Sequence, residues 1–491
     1  MKIRQFISGI TICCVLLFAC KKENNKYIYN QIDELTIKDP EKPISVEQRA
    51  MISVEPVITH SMEGGGPYIY KWEIYKPKDA TNNEASTSNI LNTSTILSTE
   101  RNLNVPALVS PGSYILQYTV KDTKTNVNTI KLYSITVNGK YYEGWLVVAD
   151  KGGKTEVSFV RSDHAVFNDI ITASNPDLAL NGKILSCFSG VNAGLAQAYV
   201  FTDQGAYIFT ANDFSLTAKT ADIFTQPFNP VINPYYKLNK AGSEQYVINN
   251  GSLYSVFTPT TLGGGLYDSP HNGPAGYSLF PCFIEGTTLL FYDNNGQRFL
   301  RTTAFNPKLT TLPNAVNPSF QLNNVGKTMV GGDRGPANEY FFVMKDATGY
   351  YLCSVLPNNN PAAAGIMAKI DLAPEIDKAI GFTGSEVNKQ MYYAVENKIY
   401  LFDLEAKSAK LAYAFPGNIK IKDLKIFKGQ GWGATNPSYN LRLVAATYNG
   451  TEGELYYFDL ELIGNIKNNT YAKKFGGFGD ISQINYRYPN L

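Results

Sequence analysis

The chain has 491 residues, a formal net charge of +2 and no long basic block. Its length exceeds what one ordinary hydrophobic core accommodates, which predicts two or three domains, and its balanced charge excludes a nucleic-acid-binding surface. The 33 tyrosines and 26 phenylalanines, with little helical periodicity, indicate an all-β protein. The best helical candidate is the short stretch 368–381.

The N-terminus has the pattern of an export signal. Lys2 and Arg4 precede an apolar run at 7–19, shorter than the roughly 20 residues of a membrane-spanning helix. The run ends in Leu-Phe-Ala followed by Cys20, which resembles the lipobox of bacterial lipoproteins. This resemblance implies a signal peptide of residues 1–19 and acylation of the Cys20 thiol, with two or more acyl chains anchoring the protein stably. The alternative is an ordinary secretory peptide with a chance cysteine.

The polar stretch 20–31 is too hydrophilic to pack and predicts a lipid-anchored flexible tether. Charged residues directly behind the cysteine are similar to the signal that sends lipoproteins of Bacteroidetes-type bacteria to the cell surface. That resemblance implies an outer-membrane anchor with the protein exposed outside the cell. The periplasmic face of the membrane is the alternative.

Residues 32–138 predict an Ig-like β-sandwich. Short alternating strands such as YIYKWEIYK (68–76) surround a central tryptophan, as in sandwich folds. The stretch PGSYILQYTVKD (111–122) resembles the corresponding segment of PKD domains. The resemblance implies that Trp72 and Tyr114 are core residues and that the domain is a spacer.

Residues 141–491 contain seven copies of one unit: an apolar run, a turn rich in Asp, Asn and Gly, and a second apolar run. The turns centre on Asp150, Asp203, Asn249, Asn294, Asp346, Asn397 and Asn449. These residue types favour the positive φ angles of hairpin turns. Spacings of 45 to 53 residues between antiparallel units are typical of β-propellers, and seven units predict seven blades.

A propeller ring must be closed. The first hairpin lacks a preceding strand because the sandwich ends just upstream, whereas ISQINYRYP (481–489) forms a strand-like tail. We predict that this C-terminal strand pairs into the first blade. The alternative is that the tail is the last strand of the seventh blade.

The cysteines and acidic turns predict neither a metal site nor a cofactor. Beyond the leader, Cys187, Cys282 and Cys353 lie in apolar strand-like runs, and an odd number in such settings indicates buried thiols. There are only three histidines and no zinc-binding motif. The acidic turns lack the alternating oxygen ligands of a calcium loop.

The sequence favours a non-catalytic protein. No pair of carboxylates is singled out for glycoside hydrolysis, and no GxSxG motif is present. Of His60, His164 and His271, only His271 lies in a long glycine-rich loop. A propeller hydrolase or lyase acting on a surface polymer is the alternative.

Loops on a rigid scaffold are the expected place for binding residues. The candidates for ligand or partner binding are Tyr235, Tyr236, Tyr267, His271, Arg334 and Trp432. Exposed aromatic rings stack on sugars and anchor protein interfaces. The alternative for these rings is packing between blades.

The segment GWLVVADKGGKT (144–155), following a PKD-like sandwich on a lipoprotein leader, resembles the PKD-like lipoproteins of Bacteroidetes. Members are typically encoded beside SusC/SusD-type outer-membrane importers and act as their accessory surface lipoproteins. The resemblance implies a SusC/SusD-type transporter as partner in nutrient uptake, with a glycan or peptide as ligand. A structural or adhesive surface protein is a further alternative.

Overall fold

The structure is a computed structural model that describes residues 32–38, 44–62, 66–78, 85–192, 195–226, 235–238, 244–257, 267, 269–303, 306–429 and 438–488. The chain divides into two compact units, Met1–Val137 (unit 1) and Asn138–Leu491 (unit 2). Within the described ranges, no helix is long and apolar enough to cross a bilayer.

Unit 1 contains one five-stranded sheet and two two-stranded ribbons. Its strands are β1 (Leu35–Ile37), β2 (Ile44–Glu47), β3 (Met51–Val54), β4 (Ile58–His60), β5 (Tyr68–Pro77), β6 (Ile90–Ser98), β7 (Leu103–Pro106), β8 (Gly112–Asp122) and β9 (Asn128–Asn138). The five-stranded sheet has the order β2-β9-β8-β5-β6, and the ribbons pair β1 with β4 and β3 with β7. One 3-10 turn precedes β6 at Thr87–Asn89.

The core of unit 1 is built around Trp72. Its side chain is fully buried, its ring stacks on Tyr118 with centroids 4.2 Å apart, and its indole N–H donates to the Glu100 carbonyl at 3.1 Å. Tyr114 is also buried, and its hydroxyl donates to the Ser110 carbonyl at 2.8 Å. The predicted core roles of Trp72 and Tyr114 are therefore confirmed.

Unit 2 consists of seven antiparallel sheets in the described residues. Sheet 1 contains β10 (Gly144–Lys151), β11 (Lys154–Arg161), β12 (Val166–Phe167) and β36 (Asp480–Arg487). Sheet 2 contains β13 (Ile184–Asn192), β14 (Leu195–Thr202), β15 (Gly205–Thr210) and β16 (Leu216–Lys219). Sheet 3 contains β17 (Tyr235–Leu238), β18 (Glu244–Asn249) and β19 (Ser252–Phe257). Sheet 4 contains β20 (Ile284–Glu285), β21 (Leu289–Asp293), β22 (Arg298–Thr302) and β23 (Thr310–Thr311).

The remaining sheets repeat the same meander. Sheet 5 contains β24 (Thr328–Arg334), β25 (Tyr340–Asp346), β26 (Gly349–Leu356) and β27 (Ala363–Ile370). Sheet 6 contains β28 (Phe382–Gly384), β29 (Gln390–Val395), β30 (Lys398–Asp403) and β31 (Ser408–Ala414). Sheet 7 contains β32 (Lys420–Ile426), β33 (Arg442–Tyr448), β34 (Gly453–Asp459) and β35 (Lys473–Phe478). The short helices are α1 (Ile170–Ser174), α2 (Thr220–Ile223) and 3-10 turns at Pro336–Asn338, Ile376–Lys378 and Lys467–Asn469.

All seven predicted hairpins are present, each as the two middle strands of one sheet or, in sheet 3, as its last two strands. Turn chemistry explains why they form where they do. In the first hairpin the Asp150 carboxylate accepts the Gly153 N–H at 2.8 Å, and Gly153 has φ +88°. In the last, the Asn449 side-chain oxygen accepts the N–H groups of Thr451 and Glu452 at 2.9 Å.

The seven sheets form a ring. Each sheet shares a hydrophobic cluster with the next, through six successive pairs from sheet 1 to sheet 7. A seventh cluster joins sheet 7 to sheet 1 through Val444 and Leu455 on one side and Trp145, Ile481 and Ile484 on the other. Sheets that pack face to face around a closed circle define a β-propeller.

Sheet 1 is assembled from both ends of unit 2. The C-terminal strand β36 runs antiparallel to β10, with Trp145 opposite Tyr486 and Val147 opposite Ile484. This is the pairing predicted from the sequence. It joins the last segment of the ring to the first by backbone hydrogen bonds as well as by the shared apolar cluster.

The helical candidate at 368–381 is wrong. The stretch begins inside β27, which continues to Ile370, and then contains only the 3-10 turn Ile376–Lys378. Pro374 lies just before that turn. Proline removes a backbone donor and disfavours helical geometry in the residue before it, so the apolar spacing there does not extend into a helix.

The three cysteines outside the leader are free thiols. Cys187 and Cys353 are buried, and burial raises the pKa of both thiols above the ordinary value. Cys282 is only half-buried. Because the neutral thiol is a poor nucleophile, Cys187 and Cys353 act as small apolar core residues.

Candidate functional site

Hydrogen bonds join residues at or just beyond the ends of β24, β28 and β32, which are the first strands of sheets 5, 6 and 7, and of β36, the closing strand of sheet 1. The Lys428 ammonium, just beyond β32, lies 2.6 Å from the Asp333 carboxylate and donates to the Arg334 carbonyl at 3.2 Å. The Tyr488 hydroxyl, just beyond β36, donates to the Lys428 carbonyl at 2.7 Å. Glu386, just beyond β28, accepts a hydrogen bond from Arg334 Nε at 2.6 Å. We call Asp333, Arg334, Glu386 and Lys428 the charged end of the propeller.

The charged end contains two ion pairs that are partly withdrawn from water. The side chains of Asp333 and Lys428 are 29% and 17% exposed, and those of Arg334 and Glu386 are 21% and 18% exposed. Partial burial strengthens Coulomb attraction relative to a fully solvated pair. The remaining exposure leaves all four groups within reach of a molecule that approaches this end.

Asp333 is held by neighbours from two sheets. Its Oδ2 accepts the Gly384 N–H at 2.9 Å and the Thr383 hydroxyl at 3.2 Å, and Oδ1 accepts its neighbour's backbone N–H at 2.8 Å. Burial by itself raises the Asp333 pKa, but the Lys428 charge and these hydrogen bonds outweigh it and hold the pKa below its ordinary value. Asp333 is therefore ionised at neutral pH.

The neutralising variant Asp333→Asn is expected to lower the free energy of unfolding by about 1–3 kcal/mol at pH 7, because it leaves Lys428 partly buried without its counter-charge. A carboxyl group whose folded-state pKa is depressed stabilises the fold above its unfolded pKa of about 3.9 and loses that contribution as pH falls through the folded value. The difference between wild type and variant should therefore shrink below about pH 4.

Chemical denaturation at a series of pH values measures this. The control is Asp371→Asn, because Asp371 is 68% exposed and pairs with Lys369 at 3.6 Å, and it should change stability little. An Asp333→Asn effect that does not vary with pH would contradict the assignment of the effect to the carboxylate charge.

Hydrogen bonds between the innermost strands also join neighbouring sheets of the ring. The Thr383 hydroxyl accepts the Ile426 N–H at 2.9 Å, joining sheets 6 and 7, and Asp423 accepts the Ile484 N–H at 3.0 Å, joining sheets 7 and 1. Gln483 accepts the Cys187 N–H at 3.1 Å, which joins sheets 1 and 2. These contacts give the first strands side-chain partners along their otherwise unpaired edges.

Of the predicted binding residues whose side chains the structure describes, Arg334 alone belongs to the charged end. Tyr235 and Tyr236 lie on β17, the first strand of sheet 3, but their side chains lie outside what the structure describes. Trp432 and the lipidation candidate Cys20 fall outside the described residues.

The expectation that Tyr267 and His271 expose their side chains is wrong. Tyr267 is 2% exposed and its ring stacks on Phe224 with centroids 5.1 Å apart. His271 is 3% exposed and its Nε2 lies 2.9 Å from the Ser255 hydroxyl. Burial lowers the pKa of His271 to about 4, so the imidazole is neutral at physiological pH. The backbone N–H of His271 donates to the Leu253 carbonyl on β19, and that of Tyr267 donates to the Ile223 carbonyl at the end of α2.

The other two histidines are not among the residues of the charged end. His60 belongs to unit 1, where its Nδ1 lies 2.8 Å from Asp33 Oδ2. His164 is exposed in the turn after β11 with φ +77°. In the part of the chain that the structure describes, no group of three or more His, Cys, Asp or Glu side chains could hold a metal ion.

Asp333, Glu386 and Lys428 were not predicted from the sequence. Asp333 is the next-to-last residue of β24, and Glu386 and Lys428 each lie two residues beyond the end of β28 and β32. Aligning the seven repeats on those strand ends, instead of on the hairpin turns, is the signal that could have found them.

Comparison with known proteins identifies a PKD-like region. Residues 20–183 match the model of the PKD-like family, a match that spans unit 1 and continues through β10, β11 and β12. No curated protein matches the sequence. Together with the ring of sheets, the match supports a PKD-like domain followed by a β-propeller.

Solved structures are similar to this chain at the level of fold. A quinonprotein alcohol dehydrogenase-like protein from Bacteroides thetaiotaomicron is 14% identical with a TM-score of 0.43, covering 92% of this chain and 97% of its own. A protein from Lactobacillus plantarum is 12% identical with a TM-score of 0.45, covering 70% and 99%. The β-propeller domain of Cps50 (Swd1) from Myceliophteria thermophila is 10% identical with a TM-score of 0.35, covering 62% and 89%. At these values we draw no functional argument from the likeness.

Proposed function

We propose that this protein is a non-catalytic, lipid-anchored surface lipoprotein that is accessory to a SusC/SusD-type nutrient importer. In this proposal Cys20 holds the chain on the outer membrane and a PKD/Ig-like sandwich acts as a spacer. A seven-bladed propeller then binds a glycan or peptide, or docks on the transporter, through its charged end.

The observation that supports a binding role is the convergence of Asp333, Arg334, Glu386 and Lys428 from three sheets at one end of the ring. Ionic side chains that are already fixed in position lose little conformational entropy when a partner binds. They also provide specificity through complementary charge. Lys428 is the second residue of the segment 427–441, which also contains Trp432. An aromatic residue in that segment would supply the stacking surface that a sugar or peptide needs.

The same geometry does not suit Asp333 as the general acid of a glycosidase. A glycoside hydrolase requires one carboxylic acid that stays protonated, and hence has a raised pKa. The pKa of Asp333 is lowered instead, because Lys428 and three hydrogen-bond donors stabilise its charged form. The charged end is suited to recognising a ligand.

The proposal is tested by purifying the native complex. An affinity tag inserted at Gly450, in the exposed turn between β33 and β34, leaves Tyr488 and the charged end free. After gentle extraction of native membranes, we expect a TonB-dependent channel and its lid lipoprotein to co-purify. Recovery of the tagged protein alone would contradict the accessory role.

Charge reversal then locates the contact. Lys428→Glu should reduce recovery of the partner at least tenfold, since it places a negative charge beside Asp333 and Glu386. Lys474→Glu is the matched control, because Lys474 also pairs with a carboxylate, Glu454 at 2.7 Å, but on strand β35. Equal losses in both variants would show that the charged end is not the contact surface.

Cys20→Ala should move the protein from the membrane fraction to the soluble fraction. The acyl chains contribute about 0.8 kcal/mol per buried CH₂, and the described part of the chain offers no membrane-spanning helix in their place. A variant that stays with the membrane would refute the lipid anchor without bearing on the charged end.

A further inference from the structure

Strand β6 forms one edge of the five-stranded sheet in unit 1. It runs for nine residues, Ile90–Ser98, and among the strands that the structure describes it pairs only with β5. Residues 93–96 are exposed, and the Ile96 side chain is 61% exposed. The far side of β6 therefore presents a row of backbone N–H and C=O groups that a further strand can pair with.

This edge lacks the charges and prolines that usually protect edge strands, and its pairing with β5 is regular at residues 94–96, between two register shifts. The sequence of β6, ILNTSTILS, contains no lysine, no other charged residue and no proline. Charges, prolines or very short length normally keep edge strands from pairing with other chains. The opposite edge of the same sheet, β2, is only four residues long and ends in Glu47. The contrast singles out β6 as the edge that is open to pairing.

The sequence of β6 is also nearly symmetrical about Ser94. In an antiparallel pair of two copies centred there, Ser94 faces its own counterpart, and Thr93 of each copy faces Thr95 of the other. Cross-strand threonine pairs are favourable. Like charges directly opposite each other would oppose self-pairing, but β6 contains no charged residue. A second copy of this chain fits the edge in register.

We propose that β6 pairs with β6 of a second copy, antiparallel across a twofold axis at Ser94, and so joins two five-stranded sheets into one of ten strands. A twofold pairing uses the same edge on both copies and closes the assembly at a dimer. The dimer is held mainly by backbone hydrogen bonds. Attachment of both copies to one membrane would raise their effective concentration and favour it further.

Sedimentation of the chain from Lys21 onward, which contains both units, tests the dimer. We expect dimers that dissociate on dilution, and a dissociation constant raised at least tenfold when Thr93→Lys and Thr95→Lys are combined, because lysines then face lysines at two positions. The pair Thr93→Glu and Thr95→Glu should have the same effect. Mixing the lysine chain with the glutamate chain should restore dimers, since each lysine then faces a glutamate.

The control combines Thr36→Lys and Thr451→Lys, two exposed positions that are not part of β6, and it should leave the dimer intact. Restoration in the mixture also shows that both charged variants are folded. A wild-type chain that is monomeric up to about 100 µM, a range that includes weak interfaces, would overturn the proposal. A dimer that the paired lysines do not weaken, or that the mixture does not restore, would overturn it as well.

Discussion

Deleting residues 480–491 should prevent unit 2 from reaching its native packing. The deletion removes β36, and with it the backbone pairing to β10 and the buried side chains of Ile481 and Ile484 that join sheet 7 to sheet 1. It also removes the Gln483 hydrogen bond to sheet 2. A ring without its closing strand exposes two apolar sheet faces to water, at roughly 25 cal/mol per Å² of exposed apolar area.

Near-UV circular dichroism and thermal unfolding measure this outcome, and we expect the variant to lose the cooperative transition of unit 2. A milder form of the test is Ile484→Ala, which should cost about 2–5 kcal/mol because the side chain is fully buried. Its matched control is Ile366→Ala on the outer strand β27, where the side chain is 37% exposed and the loss should be much smaller. Native-like unfolding of the deletion variant would show that closure through β36 is dispensable.

Trp72→Ala should lower the stability of unit 1 by about 3–5 kcal/mol. The side chain is fully buried, stacks on both Tyr118 and Tyr133, and satisfies its indole N–H on the Glu100 carbonyl. Truncation leaves a cavity at the centre of the unit 1 cluster, and the neighbouring rings cannot fill it without leaving their own contacts.

Calorimetry of the full chain separates this effect from the rest of the molecule. Trp72 belongs to the hydrophobic cluster of unit 1, so we expect the unit 1 transition to move down while the unit 2 transition keeps its midpoint. Ile69→Ala is the control, because that side chain is 56% exposed on the same strand. A loss below about 1 kcal/mol in Trp72→Ala would contradict the central role of this residue.

The positions of the hairpins and of the closing strand were predictable because their information is local. A hairpin needs two alternating apolar runs and a turn residue that tolerates positive φ, all within about 15 residues. Gly153 and Gly450 supply the positive φ in the first and last hairpins, and the side chains of Asp150 and Asn449 accept hydrogen bonds from the same turns. The tail at 481–489 was identifiable because a closed ring needs a partner for the first hairpin and no other strand-like segment was left.

The candidate site was only partly predictable. Arg334 was singled out as a polar loop residue, but its partner Glu386 lies 52 residues further along the chain and Lys428 lies 94 residues further. Nothing in the local sequence of either residue indicates this contact, because it depends on which strand ends meet when three sheets pack. Tyr267 and His271 show the converse error, since a glycine-rich loop indicated exposure, whereas backbone hydrogen bonds tie these residues to α2 and β19 and both side chains are buried.

By itself the sequence determined the repeated antiparallel unit, the core role of Trp72 and the strand that closes the ring, because alternation and turn chemistry act between near neighbours along the chain. Only the tertiary structure decided which charges face one another at the end of the propeller, and which loop aromatics are buried. Those outcomes depend on the packing of sheets built from segments some 50 to 100 residues apart, where desolvation and Coulomb energy are set by spatial neighbours instead of by sequence neighbours.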